Sequence, residues 1–199
     1  QPEVVGRTLS AYIDAASGTF KQDLPIDFAA MSRLLIIGCG TASYAAQVAE
    51  YWIEDLAGLP VEIDLASEFR YRNPAFMKDD AALFVSQSGE TADTLEAMRM
   101  CKAAGLKTIA LVNSPHSSMA READFVVPTL AGPEIGVAST KAFTCQLAAL
   151  ASLAVLAGVQ RGRVDADAQQ QRVDELMALP GLMATALKIE DQVDTLASE

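Results

Sequence analysis

With 199 residues, 51% of them hydrophobic, the chain is long enough to bury a core and too apolar to be disordered as a whole. Lys and Arg number 15 against 26 Asp and Glu, a net charge of −11, and no basic cluster offsets it, which argues against nucleic acid as a partner. Three cysteines, Cys39, Cys101 and Cys145, have neither CxxC spacing nor an even count; they suit reduced thiols in a cytoplasm rather than a disulfide frame or a zinc site. The richest apolar run, Leu147 to Val159, reads as too short to span a bilayer, and no secretory signal is evident. Gln1 rather than Met opens the chain, which suits a piece of something longer.

Val4 to Ile13 carries apolar residues at helical spacing and predicts a helix packed on the domain. A polar, proline-containing link around Lys21 to Pro25 follows. Arg33 to Ile37 predicts a first buried strand, running through Gly38-Cys39-Gly40-Thr41-Ala42-Ser43 into a helix from about Ser43 to Leu56 with Val48, Trp52, Ile53 and Leu56 facing inward. Gly38-x-Gly40, with Glu62 or Asp64 roughly 20 residues on, invites a dinucleotide-binding reading, weakened because Ser43 stands where the third glycine belongs. Gly58-Leu59-Pro60 ends the helix and Val61 to Leu65 makes a second strand. Ser67 to Arg72 reads as a short helix or turn, its arginines forming an interface or substrate rim, or else a surface ion-pair network.

Ala81 to Val85 predicts a third buried strand, and from Thr91 the spacing turns helical again. Between them lies Ser86-Gln87-Ser88-Gly89-Glu90-Thr91. A helix start offers unpaired N–H groups and the positive end of a dipole, so hydroxyls and a glycine there can surround a phosphate, or Ser88 or Thr91 simply caps the helix. Leu106 to Val112 and Phe125 to Val127 give two more strands. His116 lies between them in a turn and reads as solvated. The alternation implies an α/β fold: a three-layer α/β/α sandwich with a mainly parallel, roughly five-stranded, Rossmann-like sheet, plus flanking N- and C-terminal helices.

Gly132 to Phe143 is a third glycine- and hydroxyl-rich loop before an apolar helix to about Leu156, with Lys141 placed to pair with a ligand phosphate or with Glu134. Thus Gly38–Ser43, Ser86–Thr91 and Gly136–Thr140 each set small polar groups before a helix, and such loops gather at the carboxyl edge of a parallel sheet. They imply a small, hydroxyl-rich, anionic ligand, for which a sugar phosphate fits. No nucleophile, proton-transfer pair or metal-ligand spacing is evident, so catalytic residues stay unassigned and no metal is expected. Residues 164–199 read as helical and acidic with a break at Pro180-Gly181. The expected division is a flanking helix and link over 1–30, the domain over 31–160 and a helical connector over 161–199.

Four stretches, Gly38-Cys39-Gly40-Thr41, Ala66-Ser67-Glu68-Phe69-Arg70-Tyr71-Arg72, Ser86 to Thr94 and Glu134 to Phe143, resemble the first sugar isomerase (SIS) domain of the isomerizing glutamine-fructose-6-phosphate transaminases, the glucosamine-6-phosphate synthase family. The resemblance implies an enzyme that makes glucosamine 6-phosphate and glutamate from fructose 6-phosphate and glutamine, without metal or organic cofactor. It implies that Ser86, Gln87, Ser88 and Thr91 hold the phosphate and neighbouring oxygens while Thr41, Val137 and Ser139 line the sugar. Ala42 departs from the serine common in relatives, a bond then absent or supplied by Ser43. The groups that move protons belong to a second half that this chain does not resemble, so the chain is expected to bind the sugar phosphate and to be inactive alone. A cytoplasmic homodimer is implied, with the Ala142–Ala157 helix and the Glu68–Arg72 rim as contact surfaces, and with neither nucleic acid nor membrane as partner. Two alternatives share the motifs: an amino-sugar-phosphate deaminase or isomerase, and a non-enzymatic sugar-phosphate sensor.

Overall fold

The structure, a computed structural model, describes residues 1–198 apart from residues 15, 22, 23 and 137 and the side chain of residue 191. Helix α1 (Pro2–Tyr12) leads into a small antiparallel pair, β1 (Ile13–Asp14) and β2 (Thr19–Phe20), which the sequence reading did not foresee. Strands and helices then alternate: β3 (Arg33–Gly38), α2 (Thr41–Ala57), β4 (Val61–Leu65), α3 (Ala66–Phe69), β5 (Asp80–Ser86), α4 (Ala92–Ala103), β6 (Lys107–Val112), α5 (Ser118–Glu122), β7 (Phe125–Pro128) and α6 (Lys141–Gln160). The chain continues through α7 (Ala166–Ala186), a 3-10 turn (Leu187–Ile189) and α8 (Glu190–Ala197).

Five strands pair in parallel in the order β4-β3-β5-β6-β7. After β3 the chain builds β4 on one side and then crosses to place β5 on the other. The loops leaving β3 and β5 therefore part, opening a crevice at the carboxyl edge where ligands of such sheets bind. Leu34, Ile36, Leu83 and Val85 face the layer of α1, α2 and α6, whereas Leu35, Ile37, Ala82 and Phe84 face α3, α4 and α5. Coverage of both faces is why these strands read as unbroken apolar runs. Each large aliphatic side chain so buried contributes about 1.5–3 kcal/mol relative to exposure.

Helices α2 and α6 approach closely, since a Cβ on Gly158 would lie 2.9 Å from the Leu56 carbonyl oxygen. Small residues are needed there, and α2 accordingly buries Ala45, Ala46, Ala49 and Ala57 together with Ile53. This corrects the expected inward face: Trp52 and Leu56 are only half-buried, and Val48 lies outside with Tyr44 and Tyr51. The apolar run was also underestimated. Helix α6 spans 20 residues and is long and apolar enough, by length and composition, to cross a membrane; 72% of that stretch is buried inside the protein, as in a core helix. The break expected at Pro180 does not occur, because α7 continues through it. Pro180 is instead seated on α1, its Cγ 3.3 Å from where a Cβ on Gly6 would stand.

Long-range hydrogen bonds fix the outer segments. The Tyr12 hydroxyl donates to the Pro128 carbonyl, tying α1 to the end of β7, and burial pushes that phenol's pKa upward. Gln160 accepts from the Phe28 N–H at 2.7 Å and donates to the Ile26 carbonyl at 2.9 Å. Arg161 donates to the carbonyls of Ala57, Phe28 and Met31 at 2.9–3.1 Å.

Candidate functional site

Strand β5 ends at Ser86, whose buried Oγ accepts from the Gly89 N–H at 3.0 Å and turns the chain back on itself. Gly89 has φ +66°, and a Cβ there would stand 2.2 Å from the Ser117 Oγ, so both conformation and space demand glycine. The turn is docked by the Gln87 carbonyl, which accepts from the Asn113 N–H, and the Gly89 carbonyl, which accepts from the Met119 N–H, each at 3.1 Å. Ser88 Oγ accepts from the Glu90 N–H at 3.2 Å. Glu90 Oε1 accepts from the Ser118 N–H at 2.7 Å, and this bond at the start of α5 holds the carboxyl below its usual range. The turn's one carboxylate is thus engaged away from the residues that line the neighbouring cavity. Thr91 precedes α4 but makes no side-chain cap, and Gly40 likewise leaves the start of α2 without one. The capping alternative for Thr91 therefore fails, and both helices present N–H groups that their cap residues do not satisfy.

These turns meet in a cavity of about 190 Å³. Thr41, Ser86, Gln87, Ser88, Thr91 and Ser139 all line it, drawing together six of the seven residues expected to bind sugar phosphate. Val137, the seventh, lies outside the described residues. Cys39, Ala42, Val85, Thr94 and Gln146 complete the lining. Thr94 Oγ1 and Gln146 Oε1 are buried there without a hydrogen-bond partner, a state that costs about 1–3 kcal/mol per group. Sequence reasoning missed both. Their signal was a polar residue among apolar ones: Gln146 within the apolar helix and Thr94 one turn beyond Thr91. Ser43 does not replace the hydroxyl absent at Ala42, because its Oγ donates to the Gly40 carbonyl at 2.7 Å. A larger cavity of about 550 Å³ lies between α1, α2, α6 and α7, but mostly apolar side chains line it, a poor match for a phosphosugar.

The third turn differs from the other two. Glu134 Oε1 accepts from the Thr140 N–H at 2.9 Å, the Thr140 hydroxyl at 3.2 Å and the Ala142 N–H at 3.4 Å, so a carboxylate already occupies the start of α6. Burial alone would raise the Glu134 pKa, but these donors and the nearby Lys141 charge hold it below its usual value. Lys141 itself donates to the Pro133 carbonyl at 2.6 Å rather than directly to Glu134, and it is not among the residues that line the cavity.

The rim is an ion-pair network. Arg70 meets Asp93 at 2.6 Å, and Arg72 meets Glu62 at 2.6 Å and Asp64 at 2.7 Å while lying over the Phe69 ring. Glu62 also takes Arg33 at 2.5 Å, so both acids of the dinucleotide-binding reading are engaged in ion pairs. His116 is exposed in its turn, and its carbonyl accepts from Arg121.

The family model described as SIS domain matches residues 27–156. The chain belongs to the SIS domain family. A glutamine-fructose-6-phosphate aminotransferase (isomerizing) of Bradyrhizobium diazoefficiens is 55% identical over 201 residues, covering 100% of this chain and 33% of the relative. One of the same name from Bartonella quintana is 49% identical, with 100% and 33% covered. The chain therefore spans about a third of the length of these relatives. The C-terminal domain of glucosamine-fructose-6-phosphate aminotransferase from Francisella tularensis superposes with a TM-score of 0.94 at 36% identity, covering 100% of this chain and 56% of that one. In this SIS domain the cavity lies where the chain crosses from one side of the sheet to the other, between the ends of β3 and β5.

Proposed function

We propose that this SIS domain is the phosphosugar-binding half of an isomerizing aminotransferase that converts fructose 6-phosphate and glutamine into glucosamine 6-phosphate and glutamate. The observation that carries the reading is the convergence of Thr41, Ser86, Gln87, Ser88, Thr91 and Ser139 on one cavity, beside two helix starts without side-chain caps. Ser86, Gln87, Ser88 and Thr91 take the phosphate, to which unpaired N–H groups and the helix dipole are complementary. Thr41, Ser139 and Val137 take the sugar. The lining contains no carboxylate, imidazole or amine among the described residues, so the proton transfers of isomerisation fall to other parts of the parent enzyme. The names of the 55% and 49% identical relatives support this reading over the deaminase and sensor alternatives.

The parent is proposed as a cytoplasmic homodimer that needs neither nucleic acid nor membrane. Three unpaired thiols, two of them buried, suit a reducing compartment. Because α6 is largely buried within the protomer, exposed Tyr71 on the rim is a better contact than α6. Calorimetric titration of the chain with glucosamine 6-phosphate and with plain glucosamine tests the function. Binding of the phosphosugar alone, weakened about tenfold by Ser88→Ala, is expected. Equal binding of plain glucosamine would overturn the phosphate assignment, and substantial turnover by the chain alone would overturn its assignment as a half-site.

A further inference from the structure

Two buried polar side chains reach the cavity from opposite layers of the sandwich: Thr94, 1% exposed, from α4 and Gln146, 2% exposed, from α6. Neither Thr94 Oγ1 nor Gln146 Oε1 has a hydrogen-bond partner. A buried polar atom left unpaired in the wall of a cavity points to a group that arrives with the ligand. The identity of the atoms limits that group. In its observed orientation Gln146 presents Oε1, which only accepts, and the oxygens of a phosphate dianion also only accept, so in this orientation the phosphate end does not satisfy it. A donor is required, and the ligand class proposed above supplies donors as sugar hydroxyls. The Thr94 hydroxyl both donates and accepts, so a sugar hydroxyl satisfies it as well.

Building on the phosphosugar reading, we propose that Gln146 and Thr94 form a neutral polar floor that hydrogen-bonds the sugar hydroxyls and selects for the sugar part of the ligand. The division of labour is then chemical. Ser86, Ser88, Thr91 and the N–H groups beside them recognise the anion, while the floor recognises what the anion is attached to. A buried acceptor left unpaired by the wrong ligand discriminates more sharply than a missing apolar contact, because the site's own desolvation goes uncompensated.

Gln146→Met and Thr94→Val keep approximate volume and remove the unpaired atoms. If the two groups are only buried imperfections, both variants leave binding unchanged, and their thermal midpoints hold or rise because an unsatisfied polar atom has gone. If they form the floor, the midpoints again hold or rise without ligand, but glucosamine 6-phosphate binds about tenfold more weakly to each variant while inorganic phosphate binds as before. Calorimetry with glucosamine 6-phosphate and with inorganic phosphate, beside the unsubstituted chain and Ser88→Ala, separates the cases. Ser88→Ala is expected to weaken both ligands. Unchanged glucosamine 6-phosphate affinity in both floor variants, or an equal loss of inorganic phosphate, would overturn the floor and leave the phosphosugar reading standing. Failure of the unsubstituted chain to bind glucosamine 6-phosphate would overturn both.

Discussion

The starts of α4 and α6 look alike in sequence and differ in the folded chain. Each follows a glycine, and each has hydroxyl residues just before its first turn: Ser86, Ser88 and Thr91 for α4, Ser139 and Thr140 for α6. At α6 the Glu134 carboxylate, six residues upstream of Thr140, folds back and takes the free donors. At α4 both nearby acids are drawn off, Glu90 to the start of α5 and Asp93, in the first turn, to Arg70, and the α4 start faces the cavity without a side-chain cap. A helix start becomes a ligand site when nothing internal neutralises it, and where the nearest carboxylate goes decides that. Glycine-and-hydroxyl signatures therefore mark candidates, whereas the fold chooses among them.

The sharpest way to break the comparison is at Gly89, which shapes the open turn. Gly89→Ala forces a side chain into positive φ and onto Ser117, and should cost about 2–4 kcal/mol of stability. Urea unfolding measures this directly, and a neutral result would mean that the turn relaxes freely. A reciprocal pair comes next. Thr91→Val should weaken glucosamine 6-phosphate binding about tenfold with little change in unfolding midpoint, since Thr91 caps nothing. Glu134→Ala should do the reverse, costing about 1 kcal/mol of stability while leaving phosphosugar affinity nearly unchanged. Calorimetry and thermal melts on the same two proteins decide whether the two starts carry separate roles. The smallest effect is in pH. Glu90 and Glu134 are both held below their ordinary pKa in the folded chain. Their contribution is present above the unfolded glutamate value of about 4.3 and is lost as pH falls through the lower folded values. Thermal midpoints should decline below about pH 4.3, and less steeply in Glu134→Gln. An unaltered slope in that variant would remove Glu134 from the account.

The central strands were legible because burial on both faces leaves runs of apolar residues, as in Leu34–Ile37 and Leu83–Val85. The cavity lining was largely legible because helix starts, glycines and hydroxyls are local signals, and parallel topology gathers them at one edge. What stayed hidden depends on distant partners. Val48 faces outward because the buried face of α2, closely approached by α6 about a hundred residues later, is filled by Ala45, Ala46, Ala49, Ala57 and Ile53. Helix α7 passes through Pro180 because α1 offers Gly6 as a seat. Gln146 sat inside a run that reads as core, and only the folded arrangement shows that its neighbours leave its Oε1 unpaired.

The side chains of Gln160 and Arg161 act on the Ile26–Met31 segment much as a neighbouring strand would. Together they make four hydrogen bonds to its backbone at Ile26, Phe28 and Met31, and a fifth to the end of α2 at Ala57. A stretch whose only regular element is a single 3-10 turn is thereby coupled to the cooperative unfolding of α6. The Phe28 amide should therefore exchange its hydrogen with solvent on the slow timescale of global opening, not on that of a surface loop.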